Sequence, residues 1–378
     1  MLQKRAATRS ILLVAILILM LFTAPGCASD APKDALDDVP KATIELEWEK
    51  SLTAPDDLGV MSIQQTSDGG YFIVGSTDCG YGTRGSVTSC DILLIKTDAN
   101  GNVQWESNKS REWWRLDSAF QTADGGYMFA FNDKLIKTDS SGNEEWQKAL
   151  PRVSWTDSIA RQTSDGGYVV LGTEVYWGSY GGADAWLAKM DSSGNPEWEK
   201  TLGNGYGVTV EQTFDNGFIV LCGRASPSGG WLLKTDWTGQ QERDGIVGHG
   251  SVEGVVETID AGFIVLSHDD NGTWLTKLGN AGHFFPLQWD KAFDSGWGFQ
   301  RATQDGGCIV VDVGDSLISL MKIDSGGSAE WEGTFGGSGS IWPVAQTSDG
   351  GYIVVSHRKD GATGESAVWL MKLKVTPP

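Results

Sequence analysis

The side chains able to do chemistry in this chain fall into two sets, one that repeats and one that does not. Lys96, Lys137, Lys189, Lys234, Lys277, Lys322 and Lys372 each close an apolar run, and Asp68, Asp124, Asp165, Asp215, Asp260, Asp305 and Asp349 each open a tight polar turn. A ring of ammonium groups would attract an anion, and a ring of carboxylates would hold calcium. A group that recurs in every copy of a repeat, however, serves the copy. Each lysine is therefore expected to pair locally, in most copies beside an aspartate two residues further on, and each turn aspartate to accept hydrogen bonds from its own backbone. Asp269-Asp270-Asn271-Gly272 has the composition of a calcium loop without its ligand spacing or closing glutamate.

The set that does not repeat is aromatic. Trp113, Trp114, Trp155, Trp177, Trp297 and Trp342 fall in expected loops, together with Tyr81, Tyr176, Tyr180 and Tyr206. Such rings suit stacking on sugars or a protein contact patch; they equally suit plugging the centre of the fold, and both readings stay open. His249, His268, His283 and His357 form no metal-binding spacing, and no H-E-x-x-H, C-x-x-C, G-x-S-x-G or phosphate-loop motif occurs. Acids are abundant enough for a glycoside-hydrolysing carboxylate pair, but none stands out. No metal, cofactor or catalytic residue is expected.

The elements that position these residues follow from one phrase repeated seven times: Asp-Gly-Gly or a variant, an apolar run, then Lys-x-Asp-x-x-Gly and Trp. Clear copies begin at Gln65, Gln121 and Gln162. The runs YFIV, YMFA, YVVL, FIVL, FIVL, CIVV and YIVV read as strands buried on both faces. Asp-Gly-Gly supplies the positive φ of a tight hairpin. A third strand ends at the lysine and a fourth carries Trp105, Trp146, Trp198, Trp289 or Trp331, with Arg243 in the tryptophan's place in the fourth copy. The seventh copy lacks a fourth strand, but Ile44–Lys50 (IELEWEK) resembles one and supplies Trp48. The expectation is an all-β, seven-bladed propeller of four-stranded antiparallel blades, residues 43–376, closed by the N-terminal strand joining the last blade. An open solenoid is the alternative, and it would need caps that the sequence does not show. Trp186, Trp231, Trp274 and Trp369, three residues before the repeat lysine, are assigned with the fourth-strand tryptophans to packing between blades.

In a four-stranded meander the first and third turns share one face. Here these are short, while the second turns and blade connections vary in length, so function is expected on that variable face.

The repeat resembles that of quinoprotein-type (PQQ-like) propellers, whose tryptophan docks one blade on the next. It is more similar still to the DGGY/KTDxxGNxxW repeat lipoproteins and surface proteins of archaea and bacteria. The resemblance covers about residues 43–374 and implies the fold; it is not specific for an activity, because many such propellers bind no quinone.

Residues 1–27 read as a signal peptide: Lys4, Arg5 and Arg9 precede the apolar run Ile11–Phe22, too short to cross a bilayer comfortably, and Cys27 follows in a lipobox-like end. Plain secretion and a retained anchor are the alternatives. Residues 28–42 read as a flexible acidic tether. Cys79 and Cys90 bracket one loop and are a candidate disulfide, whereas Cys222 and Cys308 lie inside apolar runs. Removing the three N-terminal bases leaves 26 basic against 49 acidic residues, a charge of −23, which argues against nucleic acid. The expected protein is an extracytoplasmic, lipid-anchored or secreted monomer, touching the membrane through its lipid alone. It is expected to bind a protein or surface polysaccharide. A polysaccharide-active or quinone-dependent enzyme and an envelope-assembly scaffold are the alternatives.

Overall fold

The computed structural model describes residues 42–52, 59–81, 87–109, 116–131, 133–150, 158–176, 182–224, 229–282, 284–293, 297–303, 305, 307–313, 317–336, 344–359 and 366–376. Side chains at 78–81, 87–89, 204, 297–302, 313, 356–359, 366 and 367 are outside this set. The signal, lipidation and tether assignments on residues 1–41 also lie outside it.

Among the described residues, twenty-eight strands form seven four-stranded antiparallel sheets. Blade 1 is β2 (Gly59–Gln65), β3 (Tyr71–Tyr81), β4 (Val87–Thr97) and β5 (Val103–Lys109). Blades 2 to 6 repeat this order through β25 (Ala329–Gly336). Blade 7 is β26 (Val344–Gln346), β27 (Tyr352–Lys359), β28 (Ser366–Thr376) and, as outer strand, β1 (Thr43–Leu52). The first strands β2, β6 (Leu116–Gln121), β10 (Ile159–Gln162), β14 (Tyr206–Gln212), β18 (Ser251–Glu257), β22 (Trp297–Ala302) and β26 touch one another in a closed circle. The fold is thus the expected propeller, closed by the N-terminal strand.

The core lies between blades. One apolar cluster joins Tyr71, Ile73 and Ile95 of blade 1 to Ile353, Val355 and Leu370 of blade 7. Six further clusters fill the other six junctions. This explains the unbroken apolar runs: a second strand such as β15 (Phe218–Gly223) has a neighbouring blade on each side and is buried along its whole length. The outer strand β9 (Glu144–Ala149) alternates exposed and half-buried residues, because one face meets water.

Four fourth-strand tryptophans dock onto the glycine of the next blade's third turn. A Cβ on Gly101, Gly194, Gly239 or Gly327 would lie 2.6–2.9 Å from Trp48, Trp146, Trp198 or Trp289 respectively. These glycines also have φ of +75° to +81°, so both sterics and backbone demand glycine there. Trp105, far from Gly142, and Trp331 pack on the next blade's Tyr127 and Tyr352, at 5.6 and 5.3 Å between ring centroids.

Candidate functional site

The repeating lysines are buried and latched. Lys96 Nζ lies 2.8 Å from Asp68 Oδ2, and the same pairing recurs as Lys137–Asp124, Lys189–Asp165, Lys234–Asp215, Lys277–Asp260, Lys322–Asp305 and Lys372–Asp349. The partner is therefore the aspartate of the first turn, not the one two residues beyond the lysine. That second aspartate serves its own turn: Asp98 accepts from the backbone N–H groups of Asn100 and Asn102 and from the Asn102 side chain.

A β-bulge completes the latch. In each fourth strand the register slips beside the lysine, leaving Trp105 opposite Lys96 and Trp48 opposite Lys372. The extra residue before the tryptophan is thereby turned onto the ammonium. Glu145, Glu197, Glu242 and Glu330 reach their lysines at 2.8–3.1 Å, and Glu47 of the N-terminal strand reaches Lys372 at 3.5 Å. Burial pushes the Asp68 carboxyl up, but hydrogen bonds from Lys96, Thr66 and the Gly70 N–H outweigh it and hold the group at about 2. The second glycine of Asp-Gly-Gly is needed because a Cβ at Gly70 would overlap the Thr97 carbonyl and sit 2.6 Å from Lys96 Nζ.

Neighbouring blades are joined on this face by a belt of hydrogen bonds. Ser67 N–H donates to Gln121 Oε1 at 2.8 Å, Ala123 N–H to Gln162 Oε1 at 2.8 Å, and Ser348 N–H to Gln65 Oε1 at 2.7 Å across the closing junction. The repeated lysines are thus consumed by the scaffold, as their recurrence implies, while the acids that hold them keep about half of their surface exposed.

The third turn is not short in every blade. In blade 5, Leu278 pairs with Leu287, and the eight residues between them carry Phe285. Arg243 of blade 4 lies over that ring, 5.4 Å from its centroid, and donates to Gly282 O at 3.2 Å. Arg243 is therefore a packing replacement at one junction and needs no functional explanation.

Trp113, Trp114, Trp155, Trp177, Tyr180 and Trp342, expected on the variable face, lie outside the described residues, as do the side chains of Tyr81, Cys79 and Trp297. Cys90 is disulfide-bonded and buried, and its strand register sets Thr77 opposite Asp91 and Gly80 opposite Ser89, next to Cys79. Cys222 and Cys308 are free and buried. Tyr176 and Tyr206 are 46% and 42% exposed. Tyr176 stands beside Glu174 and Asp184, which face each other across β11 (Tyr168–Tyr176) and β12 (Gly182–Met190). Partial desolvation, then the hydroxyl's hydrogen bonds to these two acids, raise its pKa. Tyr206 lies against Gly223, whose missing side chain makes room for the ring.

Two clusters on this face escaped the sequence. Arg224, Trp231 and Asp244 line a cavity of about 310 Å³ with Leu202, Gly203 and Ile246. The Trp231 indole donates to Asp244 Oδ2 at 2.7 Å, and Gln241 holds the other oxygen at 2.9 Å. In blade 5, His249 stacks on Trp274 with centroids 4.0 Å apart, and its Nε2 lies 2.6 Å from Asp290 Oδ2. Thr276 donates to the other Asp290 oxygen at 2.8 Å, and Trp274 donates to Asp269 at 3.0 Å. So Trp231 and Trp274 are anchors of polar clusters as well as packing residues, unlike Trp186, which is fully buried. Their shared position before the lysine concealed this. Inside the ring, Ser62, Gln64, Asp117, Arg161, Thr209 and Glu253 line a further cavity of about 510 Å³, where Arg161 is bridged to Glu211 at 2.9 Å.

No family model and no curated protein matches the chain. Solved structures do. The Myceliophteria thermophila Cps50 (Swd1) β-propeller domain aligns with a TM-score of 0.54 and 11% identity, covering 87% of this chain and 98% of that one. The chain is a seven-bladed β-propeller related in fold to WD40-type propellers. The Neurospora crassa Pan2 WD40 domain aligns with a TM-score of 0.56 and 10% identity, covering 87% of this chain and 95% of that one. BBS1N, solved in complex with ARL6DN, aligns with a TM-score of 0.55 and 8% identity over 88% and 97% of the two chains. At such identities the propeller shares their fold alone.

Proposed function

We propose that this propeller is a non-catalytic binding and scaffold module outside the cytoplasm, held at a membrane through a lipid on Cys27 or secreted. It engages a protein or cell-surface polysaccharide through its variable face and acts as a monomer. The observation that carries this reading is the Arg224–Trp231–Asp244 cavity. An indole clamped by a carboxylate, beside a guanidinium, offers a stacking surface and directional polar groups, the combination that orients a sugar ring or a polar side chain. Its volume of about 310 Å³ lies at the small end of ligand-binding clefts. Tyr206, one residue pair away along β14 (Tyr206–Gln212) and β15, widens the aromatic surface. Kinship with quinoprotein-type repeats is part of the same proposal, supported by the tryptophan that docks blade on blade.

A glycan array and a peptide array probed with the mature chain test this. Arg224→Ala and Asp244→Ala should lose the bound class while melting at the wild-type temperature. Undiminished binding by both variants would sink the reading. The enzyme alternative finds its footing at His249, where a carboxylate orients an imidazole as in a general base. Turnover of polysaccharide substrates lost in His249→Gln would favour it.

A further inference from the structure

At two turn positions on the face opposite the variable loops, the sequence is small or polar in most copies and large and apolar in two. After the first-turn threonine stand Ser67, Ala123, Ser164, Gln304 and Ser348, but Phe214 in blade 4 and Ile259 in blade 5. After the third-turn aspartate stand Ala99, Ser140, Ser192 and Ser325, but Trp237 in blade 4, while the blade 5 insertion presents Phe284 and ends at Leu287. Phe214, Trp237, Ile259, Phe284 and Leu287 are 61–75% exposed, and no other large apolar side chain among the described residues is as exposed.

These five belong to one region. Phe214 N–H donates to Glu257 Oε2 at 2.7 Å, tying its turn to the strand that leads into Ile259. Arg243 ties the Phe284 segment to the outer strand of blade 4. Trp237 lines a cavity of about 560 Å³ with Asp165, Glu197, Asp215 and Trp198, and with Lys189, which is bridged to Asp165 and Glu197 at its floor. Packing within the blade explains none of the five, since water covers most of each side chain. Large apolar side chains gathered on one face and framed by polar groups mark a contact surface.

Charge says what kind of partner covers it. The carboxylates around the patch are 43–59% exposed, whereas Lys189, Lys234 and Lys277 beneath them are at most 6% exposed. The surface therefore displays the acids and hides the bases, in a chain of net charge −20. A second copy would bring like charges together, and an anionic bilayer would be repelled.

We propose that this face of blades 4 and 5 docks a basic, apolar segment of a partner protein. A lysine or arginine enters the cavity beside Trp237, received by the ring face and by Asp165, Glu197 and Asp215. Flanking aliphatic or aromatic side chains cover Phe214, Ile259 and Phe284. The surface is independent of the variable face, so the ring could hold two partners at once.

The test is selection of random twelve-residue peptides on the immobilised mature chain, followed by anisotropy titration of the selected peptides. Lysine or arginine beside large apolar residues should be enriched. Affinity should fall at least about tenfold in Trp237→Ser and in the triple variant Phe214→Ser/Ile259→Ser/Phe284→Ser, and should weaken as salt rises. Leu317→Ser, another exposed site, should leave it unchanged, and all variants should keep the wild-type melting temperature. The proposal is overturned if no patch-dependent peptide emerges, if the selected peptides lack basic residues, if phosphatidylcholine–phosphatidylglycerol vesicles sediment the wild type but not the triple variant, or if light scattering shows a dimer that the triple variant abolishes.

Discussion

Arg243 and Phe285 occupy the place that a tryptophan and a turn glycine hold at other junctions: the guanidinium carbon lies 5.4 Å from the ring centroid, and the ring meets Phe263 edge-on at 5.7 Å. The insertion in blade 5 supplies the aromatic at this junction, and the outer strand of blade 4 carries an arginine where the other outer strands carry tryptophan. The two differences form one packing unit spread over two blades.

The pair should therefore behave as a coupled unit. Phe285→Ala is expected to lose about 2 kcal/mol through the cavity it leaves, and Arg243→Trp alone to lose about 1–3 kcal/mol through overpacking. The double variant should lose less than the sum, because the new indole can enter the emptied space. Additive losses in chemical denaturation would show that the two positions do not communicate.

Gly194 and Gly142 separate backbone strain from docking. Both have φ near +80°, but a Cβ at Gly194 would lie 2.7 Å from Trp146, whereas nothing lies within 4 Å of one at Gly142. Gly142→Ala should cost about 1–2 kcal/mol, the strain alone. Gly194→Ala should cost clearly more and should alter Trp146 fluorescence. Equal losses with unchanged fluorescence would remove docking as the reason for glycine.

Acid should unlock the ring. Asp68, Asp124, Asp165, Asp260 and Asp349 are held at about 2, below the ordinary 3.8. In each, burial works upward and is outweighed by hydrogen bonds from the lysine, threonine and glycine of the latch. A lowered carboxyl favours the folded state above its unfolded value and loses that contribution as pH falls toward its folded value. The melting temperature should drop between pH of about 4 and about 2. Lys96→Met should move the Asp68 midpoint up toward 3.8 in a carboxylate NMR titration. A midpoint that stays near 2 would assign the shift to the turn alone.

Cysteine chemistry should sort by strand. Peptide mapping without reduction is expected to join Cys79 to Cys90, and reduction to lower stability by about 2–3 kcal/mol. A Cys27–Cys90 fragment would overturn the pairing. Cys222 and Cys308, whose thiols burial pushes up to about 12, should resist alkylation until the chain unfolds.

Blade number, strand order and ring closure were legible because each depends on local periodicity. Two-sided burial writes an unbroken apolar run, a tight turn demands Asp-Gly-Gly, and the orphan strand around Trp48 had one sheet lacking an edge. The division of labour between repeating and non-repeating residues was legible on the same ground. The lysine partners were not legible, because a lysine and an aspartate two residues apart in sequence suggest a pair that the fold does not make. In the blade the bulge and the hairpin send them to different turns, and Lys96 reaches back 28 residues to Asp68.

By itself, then, the sequence determined the propeller, its seven blades and the strand that closes it, since these arise from spacing along the chain. Only the tertiary structure decided which rare residues meet. It put Trp231 with Arg224 and Asp244, and His249 with Asp290 forty-one residues away. It also gathered Phe214, Trp237, Ile259 and Phe284 onto a face that the repeat had marked as plain scaffold. The physical reason is that such contacts cross strands and blades. They occur once each, so no period announces them, and their geometry is set by the packing of a ring whose neighbours in space are far apart in sequence.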